Sequence, residues 1–221
     1  MSEEPCMSIN IIALGNTEVG KTAYLIRNTE NKFRPSLSTV GIDMRNKKIE
    51  LENGKKVNVK FYDTSGQERY RSLAPNFIKK ADGIILMYDI TKRESFDTIS
   101  SWWNDILEYK EKDFPLILVG NKCDLEEERK VQKEEGENIA KEYNVKFYET
   151  SSKEGINIED SFKELIKLIL SRMPDDIKQN KPIKPTHLKL SKKIFKRRLC
   201  FFSMIKCWKS NVYNGIIILY I

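Results

Sequence analysis

The sequence predicts a three-layer α/β domain built on a mostly parallel sheet, with a flexible basic tail after it. Three observations carry this. Gly83-Ile84-Ile85-Leu86-Met87-Tyr88 and Pro115-Leu116-Ile117-Leu118-Val119 are apolar runs without alternation, as expected of strands covered on both faces. Helical stretches separate such runs, and strand–helix alternation builds parallel sheets with right-handed connections. The first apolar run, Ile9 to Leu14, stops at Gly15 and leads through a loop into a helical stretch.

Taken in order, Ile9–Leu14 reads as a buried strand and residues 22–29 as a helix. Residues 42–51 and 56–62 flank Asn53-Gly54, a strong hairpin signal. Val57, Val59 and Phe61 alternate with Asn58 and Lys60, as in a half-buried strand. After the two unalternated strands come helices at roughly 93–110, 131–142 and 157–172, with a short strand, Val145 to Tyr148, before the last. In that last helix Ile158, Phe162, Leu165, Ile166 and Ile169 recur at spacings of three and four. Pro174 ends it. The organisation expected is an extension at residues 1–7, one domain over 8–173, and a proline-containing linker and basic tail over 174–221.

Composition removes several classes of function. The acidic start, Met1-Ser2-Glu3-Glu4-Pro5, lacks the apolar run of a secretory signal. The four cysteines form no CxxC pair and there is one histidine, His187, which argues against a structural zinc site and for reduced thiols in the cytoplasm. The net charge of +7 comes from the tail: residues 173–221 hold eleven Lys/Arg against two Asp, whereas residues 1–172 hold 28 Lys/Arg against 30 Asp/Glu. The main domain therefore has no nucleic-acid footprint. Trp102 and Trp103 are expected in the core, and Glu126 to Lys130 in a solvated loop and helix start.

Four short motifs carry chemistry. Gly15-Asn16-Thr17-Glu18-Val19-Gly20-Lys21-Thr22 matches G-x-x-x-x-G-K-[ST] between a strand and a helix, the context that makes it a phosphate loop. Its N–H groups can cradle phosphate oxygens, Lys21 can hold the β and γ phosphates, and the Thr22 hydroxyl can ligate Mg²⁺. Asp63-Thr64-Ser65-Gly66-Gln67 follows a strand; Asp63 can hold Mg²⁺, Gly66 can meet a γ-phosphate oxygen and Gln67 can orient an attacking water. In Asn121-Lys122-Cys123-Asp124 the Asp124 carboxylate can accept two hydrogen bonds from a guanine edge, which adenine cannot supply. Lys122 can lay its stem along the base. Ser151-Ser152-Lys153 can offer a backbone N–H to the guanine oxygen. All four follow strands, at the end of the sheet where open α/β folds bind ligands.

With these motifs the chain resembles the Ras-like small GTPases, and within them the Rab group, over roughly residues 8–172. Ser38-Thr39-Val40-Gly41-Ile42-Asp43, Arg69-Tyr70-Arg71-Ser72-Leu73 and Leu86-Met87-Tyr88-Asp89-Ile90-Thr91 carry the Rab likeness. The resemblance implies GTP and GDP with Mg²⁺ as ligands, slow hydrolysis, and a monomeric switch in vesicle traffic. Its partners would be an exchange factor, a GTPase-activating protein and effectors. By resemblance Thr39 ligates Mg²⁺ and senses the γ-phosphate, and Phe33 packs on guanine. Some positions depart from the family's pattern. Glu18 stands where a small residue is usual, Ser65 and Ser152 stand for alanines, Phe33 to Thr39 is one residue short, and Met44, Tyr62 and Phe77 alter the effector-facing hydrophobic triad.

In the tail no cysteine lies among the last four residues, so a prenyl transferase reading the extreme C-terminus finds no acceptor. Gly215 to Ile221 is too short to span a bilayer. Lys189 to Arg198, with nearby aromatics, can rest weakly on an anionic membrane surface, placing the chain in the cytoplasm or on the cytosolic face of an endomembrane. Two other functions fit a phosphate loop: a GTP-binding scaffold that does not cycle, and an ATP-using kinase, which Asn121 to Asp124 argue against.

Overall fold

The computed structural model of the chain describes residues 7–34, 41–51, 54, 56–64 and 74–173. Six strands form one sheet in the order β2-β3-β1-β4-β5-β6. They are β1 (Met7–Leu14), β2 (Ile42–Glu50), β3 (Lys56–Thr64), β4 (Gly83–Asp89), β5 (Leu116–Asn121) and β6 (Lys146–Thr150). Every neighbouring pair is parallel except β2–β3, which is antiparallel with Glu50 opposite Lys56. The helices are α1 (Lys21–Glu30), α2 (Ala74–Ile78), α3 (Arg93–Asp97), α4 (Ile99–Leu107), α5 (Lys133–Tyr143) and α6 (Ile158–Arg172).

The pleat of β1 divides the core. Ile9, Ile11 and Ala13 pack with Tyr24 and Leu25 of α1 and Phe162, Leu165 and Ile169 of α6 on one face. Ile12 and Leu14 pack with Phe96, Trp102, Trp103 and Ile106 on the other. Each half buries enough apolar area to hold its helices against the sheet, at about 1.5–3 kcal/mol per fully buried large side chain. All seven residues of β4 and all six of β5 are buried, which is why neither strand alternates. On β3, Val57, Val59 and Phe61 are buried and their neighbours half-buried, as the alternation predicts.

The structure departs from the sequence reading in four places. The helix expected over 93–110 is two helices that meet at Thr98, the last cap of α3 and the first of α4. The Thr98 hydroxyl lies 3.0 Å from the Ser95 carbonyl, a side-chain bond that competes with the helical ladder. The short helix α2 is too brief to show a period. Helix α5 starts two residues later than expected, behind a capping box of Gln132 and Glu135. Finally, Glu126 to Lys130 is not merely a solvated loop: Arg129 has a side chain only 9% exposed and pairs with Glu149 at 2.6 Å and Glu126 at 2.7 Å. Asn53, the Ser38–Val40 and Arg69–Leu73 segments and the tail lie outside the described residues.

Candidate functional site

The loop from Gly15 to Gly20 leaves the carboxyl end of β1 and is wedged between the ends of β4 and β5. Gly15 has φ 137°, and a Cβ there would stand 2.1 Å from the Met87 carbonyl oxygen. Gly20 has φ 95°, and a Cβ there would stand 2.2 Å from Asn121 Nδ2. Only glycine meets both demands. Val19 is fully buried, and its carbonyl accepts a hydrogen bond from Asn121 Nδ2 at 2.9 Å.

Lys21 opens α1 and curls back over this loop. Its Nζ donates to the carbonyls of Gly15 at 2.9 Å and Asn16 at 2.7 Å. An ammonium has three N–H groups, so one remains for a ligand. The side chain is 5% exposed, and burial pushes its pKa down to about 8, with the Asp63 carboxylate opposing the shift. A buried cation under this strain gains from any anion placed beside it.

Asp63, at the end of β3, is fully buried, and neither carboxylate oxygen makes a well-formed hydrogen bond. Burial raises its pKa, while the Thr22 hydroxyl, Lys21 and Arg45 pull it down. An underpartnered buried carboxylate beside a threonine hydroxyl fits a hard divalent cation. Among the described residues no three His, Cys, Asp or Glu side chains cluster as a metal cage. Mg²⁺ takes few protein ligands and keeps water and phosphate oxygens, so one carboxylate and one hydroxyl can serve it.

At the other end, the loops after β5 and β6 meet at Asn121. Its Oδ1 accepts from Thr150 Oγ1 at 3.1 Å and Ser152 Oγ at 3.2 Å, while its Nδ2 holds the first loop. One buried amide thus ties three loops together, and Ser152 contributes a bond that an alanine could not. Lys122 Nζ pairs with Asp89 Oδ2 at 2.7 Å. Asp89 is fully buried, and its Oδ1 accepts from the N–H and hydroxyl of Thr91. The Lys122 head is thereby pinned, and its stem is left to cover a ring. Asp124 is half-buried, and its carboxylate makes no hydrogen bond or ion pair with another described residue.

The structure brings Gly15–Thr22, Asp63, Asn121, Lys122, Asp124 and Ser151–Lys153 to the carboxyl ends of β1, β3, β5 and β6. Phe33, beyond α1, is 41% exposed. Thr39, Gly66 and Gln67 lie outside the described residues. Sequence reasoning missed Asp89, although an Asp at a strand end with a threonine two residues on is a recognisable local bond. It also missed that the Asn16 side chain faces α4: Oδ1 lies 3.0 Å from both Trp102 Nε1 and Thr98 Oγ1.

Glu18 has φ 61°, and its carboxylate turns outward to Lys92 Nζ at 2.6 Å, with the side chain 62% exposed. The hydrogen bond from Lys92 lowers the Glu18 pKa, so the charge persists but is masked. Repulsion of a polyphosphate should be correspondingly small. Glu18→Gly is expected to slow GDP release by about two- to threefold at low ionic strength, with the difference fading near about 0.5 M salt. Release rates from loaded protein check this; faster release from the variant would mean that the ion pair holds the loop in place.

Comparison with known proteins agrees with this geometry. A model of the Ras family matches residues 10–171. Ras-related protein Rab-8A of Rattus norvegicus is 40% identical over 178 residues, covering 80% of this chain and 86% of the relative. Ras-related protein Rab-10 of Diplobatis ommata is 42% identical over 165 residues, covering 74% and 82%. Ras-related protein Rab-3A of Homo sapiens is 40% identical over 168 residues, covering 76% of each. The chain belongs to the Ras family, as a Rab-like small GTPase.

Proposed function

We propose that this chain is a switch in intracellular vesicle traffic that binds GTP with Mg²⁺ and recruits effectors in that state. It hydrolyses GTP slowly to GDP. The observation that carries the reading is the shared frame around Asn121 and Lys21. A buried ammonium with one unused N–H sits at one end, an unpaired Asp124 carboxylate at the other, and one amide bonds the loops between them.

Gly15, Asn16, Thr17, Glu18, Val19 and Gly20 would line the phosphates with their backbone, and Lys21 would bind them through charge. Thr22 and Asp63, with Thr39, would hold Mg²⁺, which when bound neutralises charge on the β and γ phosphates. Asn121, Lys122, Asp124 and Ser151 to Lys153 would form the guanine end, with Phe33 against the ring. Gly66 would meet the γ-phosphate and Gln67 would orient the attacking water. Loss of the γ-phosphate would then release the segments around Thr39 and Gln67. No arginine in the sequence is an obvious finger acting in cis, so turnover should be slow without a GTPase-activating protein, and an exchange factor should reload the site. Membrane contact would be peripheral, through the basic tail and partner proteins, on the cytosolic face; among the described residues no helix is long and apolar enough to cross a membrane.

Single-turnover hydrolysis of GTP tests the cycle. Gln67→Leu keeps the bulk and removes the hydrogen bond to water. It should leave GTP affinity within about twofold and slow hydrolysis by about a hundredfold, the low end of the usual range for positioned general catalysis. Equal hydrolysis rates in variant and parent, with and without a stimulating partner, would remove Gln67 from the mechanism. No hydrolysis in the parent under either condition would leave a GTP-binding scaffold.

A further inference from the structure

The side chain of Arg27, on α1, reaches across the site to the loop after β6. Its Nε donates to the carbonyl of Ser152 at 2.9 Å, its Nη2 donates to the carbonyl of Lys153, and its Nη1 lies 3.4 Å from the carbonyl of Asn31. The first two partners are 125 and 126 residues away in sequence. A planar fork of N–H donors can hold two successive carbonyls in a way that a single ammonium cannot.

Three N–H groups of that loop are satisfied within it. Ser151 N donates to the Ile156 carbonyl at 3.1 Å and Gly155 N to the Ser151 carbonyl at 2.8 Å. Glu154 N donates to Ser151 Oγ at 3.0 Å. The backbone N–H groups of Ser152 and Lys153, directly after Ser151, have no acceptor among the described residues. Ser152 is only 4% exposed. Buried N–H groups without partners are rare in folded proteins, so the unpaired N–H of buried Ser152 marks a place where a ligand acceptor belongs, and the exposed Lys153 sets a second free donor beside it.

The carbonyl that Arg27 holds and the unpaired N–H of Lys153 belong to one peptide. In a trans peptide the C=O and N–H point in opposite directions. Fixing the Ser152 carbonyl toward α1 therefore fixes the Lys153 N–H away from it. Asn121 Oδ1 holds the Ser152 hydroxyl at the same time. The turn is clamped by a side chain on each side of the two unpaired donors.

We infer that Arg27 is a positioning residue for base recognition: it holds the Ser152–Lys153 peptide so that the unpaired N–H groups meet the 6-oxo group of a bound guanine. This rests on the guanine-nucleotide reading above. Arg27 stands six residues after Lys21 on the same helix, about 9 Å along its axis. One rigid element thus roots both the phosphate end and the base end of the site, and the spacing between them is fixed by α1.

The experiment measures nucleotide release from the full chain loaded in turn with GDP, IDP and 6-thio-GDP. IDP lacks the 2-amino group but keeps the 6-oxo group. 6-Thio-GDP keeps the edge that faces Asp124 but presents sulfur, a poor acceptor, at position 6. Losing one well-placed hydrogen bond corresponds to roughly 3- to 10-fold. Arg27→Ala should accelerate release of GDP and IDP by about that factor relative to the parent, and of 6-thio-GDP by less than about twofold. Arg27→Lys, which can hold one carbonyl, should show the same pattern with a smaller acceleration. Equal acceleration for all three nucleotides in either variant would mean that Arg27 only stabilises the fold, and would overturn the inference; so would unchanged GDP release. A parent chain that retains no guanine nucleotide would overturn the guanine reading and this inference together, whereas retention with equal acceleration overturns the inference alone.

Discussion

Replacing Asp124 by asparagine should lower GTP affinity by at least about a hundredfold and turn the preference of the chain toward XTP. The Asp124 carboxylate makes no hydrogen bond or ion pair with another described residue, so both oxygens are available to the base. A carboxylate accepts from guanine N1–H and from the 2-amino group, and hydrogen bonds to a charged group are worth about 1.5–3 kcal/mol each. An asparagine can keep the first bond through its oxygen, but its NH₂ meets the 2-amino group donor to donor. In xanthine position 2 is an oxygen, and the same NH₂ then finds an acceptor. The loop frame should survive the change, because Asn121, Thr150 and Ser152 bond one another without Asp124. Competition between GTP and XTP for the two proteins gives the answer. An Asp124→Asn protein that still binds GTP more tightly than XTP would show that this residue does not read the base.

How much of this was open to the sequence depends on the range of each interaction. Strands β4 and β5 could be read because burial on both faces leaves an unbroken apolar run, and α6 because its buried residues recur with the helical period. The phosphate loop could be read because eight consecutive residues carry it. The break at Thr98 was only half open to the sequence: the bond to Ser95 is local, but the same hydroxyl also reaches the side chain of Asn16, 82 residues away. The tie from Trp102 to Asn16 spans 86 residues, and that from Asn121 to Val19 spans 102. No local pattern encodes such pairs. Arg129 misled for the same reason. In sequence it follows three glutamates and looks solvated, yet its main partner Glu149 lies on β6. Glu18 was legible as an oddity of charge, but the sequence could not show that Lys92, 74 residues on, takes up its carboxylate.

Lys21→Ala should reduce affinity for GDP and GTP by about a hundredfold or more, and the loss should come from the site rather than from global unfolding. The wild-type ammonium holds the carbonyls of Gly15 and Asn16 and keeps one N–H in hand. In so buried a position a polyphosphate would meet a full positive charge with little water between them, and a charge-assisted bond there is worth up to about 3 kcal/mol. Alanine removes that charge and leaves two loop carbonyls without their donor. It also leaves Asp63 without its nearest buried cation, so the carboxylate should become harder to ionise. Two terms limit the structural damage. The loop stays wedged by Gly15 and Gly20 against β4 and β5, and Asn121 still holds Val19. Calorimetric titration with GDP, together with thermal melting of nucleotide-free protein, separates the two effects. The expected result is melting within a few degrees of the parent and affinity lower by about two orders of magnitude, the equivalent of roughly 2.7 kcal/mol. Affinity within about threefold of the parent, with melting unchanged, would place the phosphates elsewhere.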